Sequence, residues 1–203
     1  MKTIITSLLL YIFSFSVVHS QENKEQTSDK TRFLGSSLFV LANFLPDPPS
    51  FYQLNYGYRL TPKDTIVIEA ITWEYTAPLG IPYGPSFESK KEKYPGYVKD
   101  IGIGLAYQRF IHKIFFTSIH LTPFRQQYFD QNNEQIQVGF QLFLTLRFGY
   151  HLMLFNDSFF IEPSIAFTHW PINTNVPNSF KEKDNNWPNY FLFEPGLHFG
   201  MKF

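Results

Sequence analysis

The side chains closest to a catalytic arrangement are those of Ser118 and His120, two residues apart in the chain. A serine nucleophile needs a histidine base that is itself oriented by an acid. This pair falls in the middle of a predicted strand, and the sequence shows no such geometry around it. The six histidines show no ligand spacing, and the acidic runs DQNNE and KDNNW lack the glycine of a calcium loop. We therefore predict no catalytic residue, no metal site and no cofactor.

Seven ionisable side chains on the polar faces of alternating segments form a second candidate set. They are Arg59, Glu69, His120, Arg147, Glu162, Glu194 and Lys202. In a narrow enclosed interior such groups pair as salt bridges and fill the space. We expect a charge network that seals the interior. A proton or ion path is the functional alternative.

The elements that position these side chains are strands, because the chain shows period-2 alternation with two chemically different faces. Every even position from Ile136 to Tyr150 is apolar, and so is every odd position from Phe191 to Phe203. In the third segment, Glu69 and Trp73 fall on the same face of the strand. If Glu69 points inward, Trp73 does too, unless a bulge shifts the alternation of the two faces. The eight predicted strands are 31–44, 50–60, 64–75, 97–111, 113–127, 135–152, 158–170 and 189–203.

The connections between these strands alternate in length. Tight turns at TPKD, HK and FNDS join strands two and three, four and five, and six and seven. Longer loops, such as residues 76–95 and 171–188, fall between the other strands. Eight strands place both termini and all the tight turns at one end, which is the arrangement of a transmembrane β-barrel.

The N-terminus and the composition define the compartment. Lys2, the apolar run IITSLLLYIFSFSVV and the small residues near Ser20 are typical of a secretory signal peptide. We assign residues 1–20 to the signal, 21–30 to a disordered lead-in and 31–203 to the barrel. The chain has no cysteine and a formal net charge of zero, so it has no disulfide and no basic face for nucleic acid.

A soluble eight-stranded barrel of the lipocalin kind is the main structural alternative. Three features favour the membrane: strands long enough to cover an apolar band of about 25 Å, a polar face rich in small residues, and apolar faces of strands six and eight that carry no charge. Trp73, Trp170 and Trp187 lie near the predicted outer rim, where an aromatic belt belongs. The predicted fold is all-β, an eight-stranded antiparallel up-and-down transmembrane β-barrel.

The whole mature chain resembles the small outer-membrane β-barrels of Gram-negative bacteria, in a style similar to those of Bacteroidetes. The ending LHFGMKF resembles their C-terminal assembly signal, with Leu197, Phe199, Met201 and Phe203 at alternate positions. The resemblance implies the barrel-assembly machinery, outer-membrane lipid and lipopolysaccharide as partners. Pro163 and Pro195 depart from the pattern because proline removes a ladder donor, so we expect a bulge or a break at each.

Some members of that class modify lipid A, and the deacylases among them need a histidine and a serine two apart near the rim. Ser118 and His120 stand in reversed order and in mid-strand, so we predict no enzyme activity. The predicted function is structural, or binding of a surface glycan, lipopolysaccharide headgroup or protein through the outer loops. The candidate contacts are Trp73, Tyr83, Trp170, Asn173, Asn175 and Trp187. A narrow channel or hydrophobic-ligand conduit and a lipid A-modifying enzyme remain the alternatives.

Overall fold

The computed structural model describes residues 30–45, 48–75, 95–185 and 188–203. The predicted signal peptide, nearly all of the lead-in, and the candidate contacts Tyr83 and Trp187 lie outside the described residues.

Nine antiparallel strands and two short helices form within the described residues. The strands are β1 (Arg32–Ser37), β2 (Tyr52–Arg59), β3 (Asp64–Tyr75), β4 (Gly96–His112), β5 (Phe115–Asp130), β6 (Gln135–Tyr150), β7 (Leu152–Leu154), β8 (Phe159–Thr174) and β9 (Tyr190–Lys202). A 3-10 helix spans Leu38–Phe44 and an α-helix, α1, spans Asn178–Asp184. The helices lie in the loops after β1 and β8.

Eight strands close into a ring. Consecutive strands pair from β1 and β2 through to β5 and β6. β6 then pairs with β8, β8 with β9, and β9 pairs back with β1. Short β7 continues β6 along β8 in the same register. The prediction of an all-β antiparallel ring of eight strands in up-and-down order is confirmed.

The two faces of the strands separate as the alternation predicts. Along β4, Ile101 and Ile103 are exposed outside the ring, whereas Asp100 is fully buried inside it. In β3, Val67, Glu69 and Trp73 all point inward without a bulge. The apolar face is therefore the outer face, and the polar face lines the lumen.

The first predicted strand, 31–44, is wrong beyond Ser37. There the chain turns into the 3-10 helix, whose sequence LFVLANF has no alternation. The Ser37 hydroxyl accepts a hydrogen bond from the Phe39 N–H, which caps the helix. The Asn43 side-chain amide then donates to the Phe51 carbonyl and accepts from the Phe51 N–H, and these two hydrogen bonds close the loop onto β2. β1 is consequently only six residues long.

The region after Trp170 also differs from the prediction. β8 continues to Thr174, so PINT is strand rather than loop. The loop that follows contains α1, and its Phe180 is completely buried against Tyr128 with ring centroids 5.1 Å apart. We call this end of the ring the loop end, and the end with the termini and tight turns the turn end.

The two strand prolines disturb the ladder in different ways. Gly149 pairs with Ser164 and Leu152 with Ile161, so the break between β6 and β7 lies opposite Pro163. Pro195 itself is in regular register with Ile165, and the irregularity lies two residues earlier, at Phe193 with φ 62°. The alternation of inward and outward side chains along β9 therefore shifts by one residue at Phe193.

Phe191 shows the effect of that change. Its side chain borders the lumen, and neighbouring Leu192 is exposed outside instead. The predicted apolar outward face of the last strand is therefore wrong at Phe191, because a bulge moves one residue out of the alternation.

Aromatic rings pack the turn end of the lumen. Phe160 and Phe116 are each only 1% exposed. Phe160 meets Phe33 edge-on at 5.1 Å and stacks with His151 at 4.7 Å. This layer closes the lumen near the tight turns.

We expect Phe160→Ala to lower the free energy of unfolding by roughly 3–5 kcal/mol, because it removes a ring from this layer and leaves a cavity. Phe155→Ala is the control, since Phe155 is 79% exposed in the turn before β8; it should change stability by less than about 0.5 kcal/mol. Urea unfolding of the refolded barrel, followed by tryptophan fluorescence, measures both. Equal losses for the two variants would contradict the packed turn end.

Candidate functional site

A cavity with a volume of about 260 Å³ lies in the loop half of the lumen. Seven aromatic rings line it: Phe39, Phe51, Trp73, Phe124, Phe143, Trp170 and Phe191. Trp170 stacks on Phe143 with centroids 5.5 Å apart. Apolar walls with a few polar groups are typical of a site for a small organic ligand.

A hydrogen-bonded chain of polar side chains forms part of the cavity floor. Glu69 is 6% exposed and accepts a hydrogen bond from the Thr122 hydroxyl. His120 places Nδ1 3.4 Å from Glu69 Oε2 and Nε2 2.9 Å from the Ser118 hydroxyl. Gly104, opposite Glu69 on β4, leaves the space that these groups occupy, since a Cβ there would collide with both Glu69 and Thr122.

A second ion pair lies beside the first on the floor. Arg147 donates to Glu194 Oε1 at 3.4 Å and to the Ser164 hydroxyl at 3.0 Å. Glu194 also accepts from the Thr168 hydroxyl at 2.7 Å. Gly196 makes room for the guanidinium. Arg147 Nε is buried and has no hydrogen-bond partner within the described part of the chain.

The remaining charges of the predicted network lie nearer the turn end. Glu162 Oε1 lies 2.7 Å from His151 Nδ1 and accepts from the Gln108 amide at 2.9 Å. Arg59 and Lys202 contact rings instead, over Phe110 at 5.5 Å and over Phe160 at 5.9 Å. Within the described residues, Glu69 pairs with His120, Arg147 with Glu194 and Glu162 with His151, and the two histidine pairs are salt bridges only when the histidine is protonated. Arg59 and Lys202 make no salt bridge within the described residues, and each lies over one aromatic ring.

Sequence reasoning missed one buried polar cluster. Asp100 is fully buried and accepts hydrogen bonds from the Trp73 indole at 3.2 Å and the Tyr75 hydroxyl at 3.3 Å. Gln126 links Tyr75 to Gln141. The parity of β4 places Asp100 inside, but the alternation does not give the register that sets Trp73 of the neighbouring β3 opposite it.

Trp73 and Trp170, the two tryptophans among the described residues, do not form an exposed belt. Trp73 and Trp170 are each 8% exposed and lie inside the lumen. Their predicted role as outer-surface contacts is wrong, because both stand at inward positions of β3 and β8. Asn173 and Asn175 are exposed at the loop end.

The ending that resembles an assembly signal lies on the outer face of β9. Leu197, Met201 and Phe203 are exposed there, and Phe199 is half-buried against Phe159. The strand pairs with β1, with Leu34 opposite Met201. These four side chains present one apolar edge where the ring closes.

The chemical capacity of the lumen follows from these contacts. Ser118, His120 and Glu69 have the hydrogen-bond order of a serine–histidine–acid triad. Ser118 is 4% exposed and borders a separate cavity of about 40 Å³ rather than the large one. No group of three or more histidine, aspartate or glutamate residues in the described ranges is arranged to hold a metal ion.

No protein-family model matches the chain, and the comparisons with curated proteins and with solved structures gave no match either. A function for this chain therefore has to be argued from its own faces, charges and cavity.

We expect Glu69→Ala to lower the free energy of unfolding by about 3–5 kcal/mol, because it leaves the buried Thr122 and His120 groups without their shared partner. Glu74→Ala is the matched control on the same strand. The Glu74–Lys99 pair is 31% and 40% exposed, so its loss should cost at most about 1 kcal/mol. Urea titration of both variants tests the difference, and equal effects would show that the floor is not a buried network.

Proposed function

We propose that the chain is an integral outer-membrane β-barrel of a Gram-negative bacterium with a closed lumen. Its role is structural or one of binding at the cell surface. One observation carries the proposal: a belt of exposed apolar side chains runs round the outside of the ring, with members on each of its eight strands. Exposed examples are Leu34, Leu54, Ile68, Ile103, Ile119, Leu144, Ile165 and Met201. A soluble barrel of the lipocalin kind would have to keep this belt in water.

The inside of the ring supports the same proposal. The charged side chains of the floor, Glu69, Arg147 and Glu194, lie in the lumen and contact partners there, so no charge of the floor has to face lipid. A Lys or Arg on the lipid face would cost about 2–4 kcal/mol at the bilayer midplane. Within the described residues, no helix is long and apolar enough to cross a membrane.

The closed lumen favours a structural or binding role over conduction. The cavity of about 260 Å³ does not continue as a wide passage toward the turn end, where the neighbouring spaces measure about 40 and 10 Å³. The buried rings of Phe110, Phe116 and Phe160 occupy the cross-section of the lumen at the turn end. Exposed Asn173 and Asn175 at the loop end are available for a surface glycan, a lipopolysaccharide headgroup or a protein.

A lipid A-modifying hydrolase is the second candidate, and the Ser118–His120–Glu69 chain favours it. In this role His120 would take the Ser118 proton while the serine oxygen attacks an ester carbonyl, and would pass that proton to the hydroxyl of the leaving lipid as the ester bond breaks. Water would then hydrolyse the acyl-serine ester and release the fatty acid. The burial of Ser118 counts against ready access of a lipid.

Mass spectrometry of lipid A from cells with and without the protein tests the hydrolase. We expect no change in mass, because Ser118 does not border the large cavity. A loss of one acyl chain that disappears in His120→Ala would make the hydrolase the better assignment.

A substitution on the outer belt tests the membrane location. We expect Ile103→Lys to destabilise the barrel in lipid by about 2–4 kcal/mol, since Ile103 is 69% exposed in the middle of β4. Ile111→Lys is the control near the turn end, with a cost of about 0–1 kcal/mol at the interface. Urea unfolding in phosphatidylcholine vesicles measures both. A barrel with Ile103→Lys that stays folded in water without lipid or detergent would contradict the proposal.

A further inference from the structure

The wall of the ring has a gap on its loop half. Pairing between β1 and β9 ends at Ser37 and His198, and pairing between β1 and β2 ends at Gly35 and Asn55. Beyond these pairs, no strand of the described chain joins Tyr52–Leu54 of β2 to Tyr190–Leu197 of β9. The 3-10 helix Leu38–Phe44 follows β1 at this point and contacts β9. We call this stretch of the wall the seam.

The large cavity lies directly behind the seam. Its lining includes Phe39 and Gln53 on one side of the seam and Glu194 and Leu197 on the other. Leu197 is also 38% exposed on the outer face. A side chain that borders both the cavity and the outside marks a lateral connection between them.

The chain around the seam is apolar and irregular. In the helix and just after it, Leu41 and Leu45 are half-exposed and Phe44 is 86% exposed. On β9, Phe193 sits at the bulge with its ring 62% exposed. A gap in the ladder leaves strand-edge groups without a ladder partner, which is costly in lipid unless something covers the gap.

We propose that the cavity takes up a fatty acid from the surrounding bilayer through the seam. This inference rests on the proposed membrane location. The chain of the fatty acid would lie among the aromatic rings, with its remainder in the seam. A closed apolar cavity of about 150 Å³ already binds benzene, so about 260 Å³ accommodates part of an alkyl chain.

The polar floor determines the head group. Glu69 and Glu194 already accept hydrogen bonds from Thr122, Thr168 and Arg147. Arg147 Nε is a donor without a partner among the described residues, on a side chain that is 9% exposed and borders the cavity. An acceptor such as a carboxyl oxygen satisfies it. The imidazoles of His120 and His198 also border the cavity. Because two glutamates and only one arginine border it, the acid enters in its protonated, uncharged form.

The natural tryptophans provide the assay, since Trp73 and Trp170 line the cavity. The full chain with Trp187→Phe is refolded into phosphatidylcholine vesicles and titrated with a dibrominated stearic acid, whose bromines quench tryptophan on contact. We expect saturable quenching that unbrominated stearic acid reverses. Phosphatidylcholine with dibrominated chains should quench these two tryptophans several-fold less, because a two-chain lipid does not fit the cavity.

A control separates this inference from the membrane proposal. Ile103→Trp, in a chain whose three natural tryptophans are changed to Phe, places the reporter on the outer belt. Both brominated lipids should quench it if the belt faces lipid. Quenching of the belt reporter without saturable quenching of Trp73 and Trp170 would overturn fatty-acid uptake and leave the membrane location standing. No quenching of the belt reporter would overturn the membrane location itself.

The head-group contact has its own variant. Arg147→Gln should raise the half-saturating concentration of brominated stearic acid about tenfold or more, while brominated hexadecane, which has no carboxyl, keeps its affinity. The competition between brominated and unbrominated stearic acid is measured on the unaltered chain. The test therefore still gives a result if Arg147→Gln fails to fold. Equal affinity of acid and alkane for the unaltered chain would contradict the assignment of Arg147.

Discussion

The closed ring of eight strands is the constraint on which the remaining structure depends. Pairing of β9 with β1 abolishes the sheet edges along the turn half and encloses a narrow lumen that side chains fill near the tight turns. Inward side chains therefore reach strands beyond their direct neighbours. Glu69 meets Thr122 and His120 from β5, and Arg147 meets Glu194 from β9. Glycines such as Gly104 and Gly196 are needed where these side chains cross.

This constraint also explains the difference between the two ends. Near the tight turns the ring is complete, and phenylalanine rings pack its section. Near the loops β1 stops at Ser37, and two short helices cover the lumen there. The helix α1 inserts Phe180, whereas the 3-10 helix lies against the incomplete wall. The cavity of about 260 Å³ is found at this end because packing is replaced there by loop segments.

Much of the fold could be predicted from the sequence because period-2 alternation is a local property. It gives the strands, the tight turns and the facing of residues such as Ile103 and Arg147. It fails where the local pattern is ambiguous or shifts. Residues 38–44 are apolar enough for a strand but form a 3-10 helix, and the bulge at Phe193 turns Phe191 inward. The partners inside the lumen could not be predicted, because Glu69 and His120 lie 51 residues apart and meet only through the exact registers of β3, β4 and β5.

The most direct test of the account is the depth of the outer belt in a bilayer. The chain has no cysteine, so Ile103→Cys introduces a single site for an environment-sensitive fluorophore, and Gln108→Cys provides an inward-facing comparison on the same strand. The account predicts that nitroxide groups deep in the acyl chains quench the label at position 103 strongly, and that aqueous iodide does not. Strong quenching by iodide at position 103, with none from the lipid nitroxides, would contradict a membrane-spanning barrel.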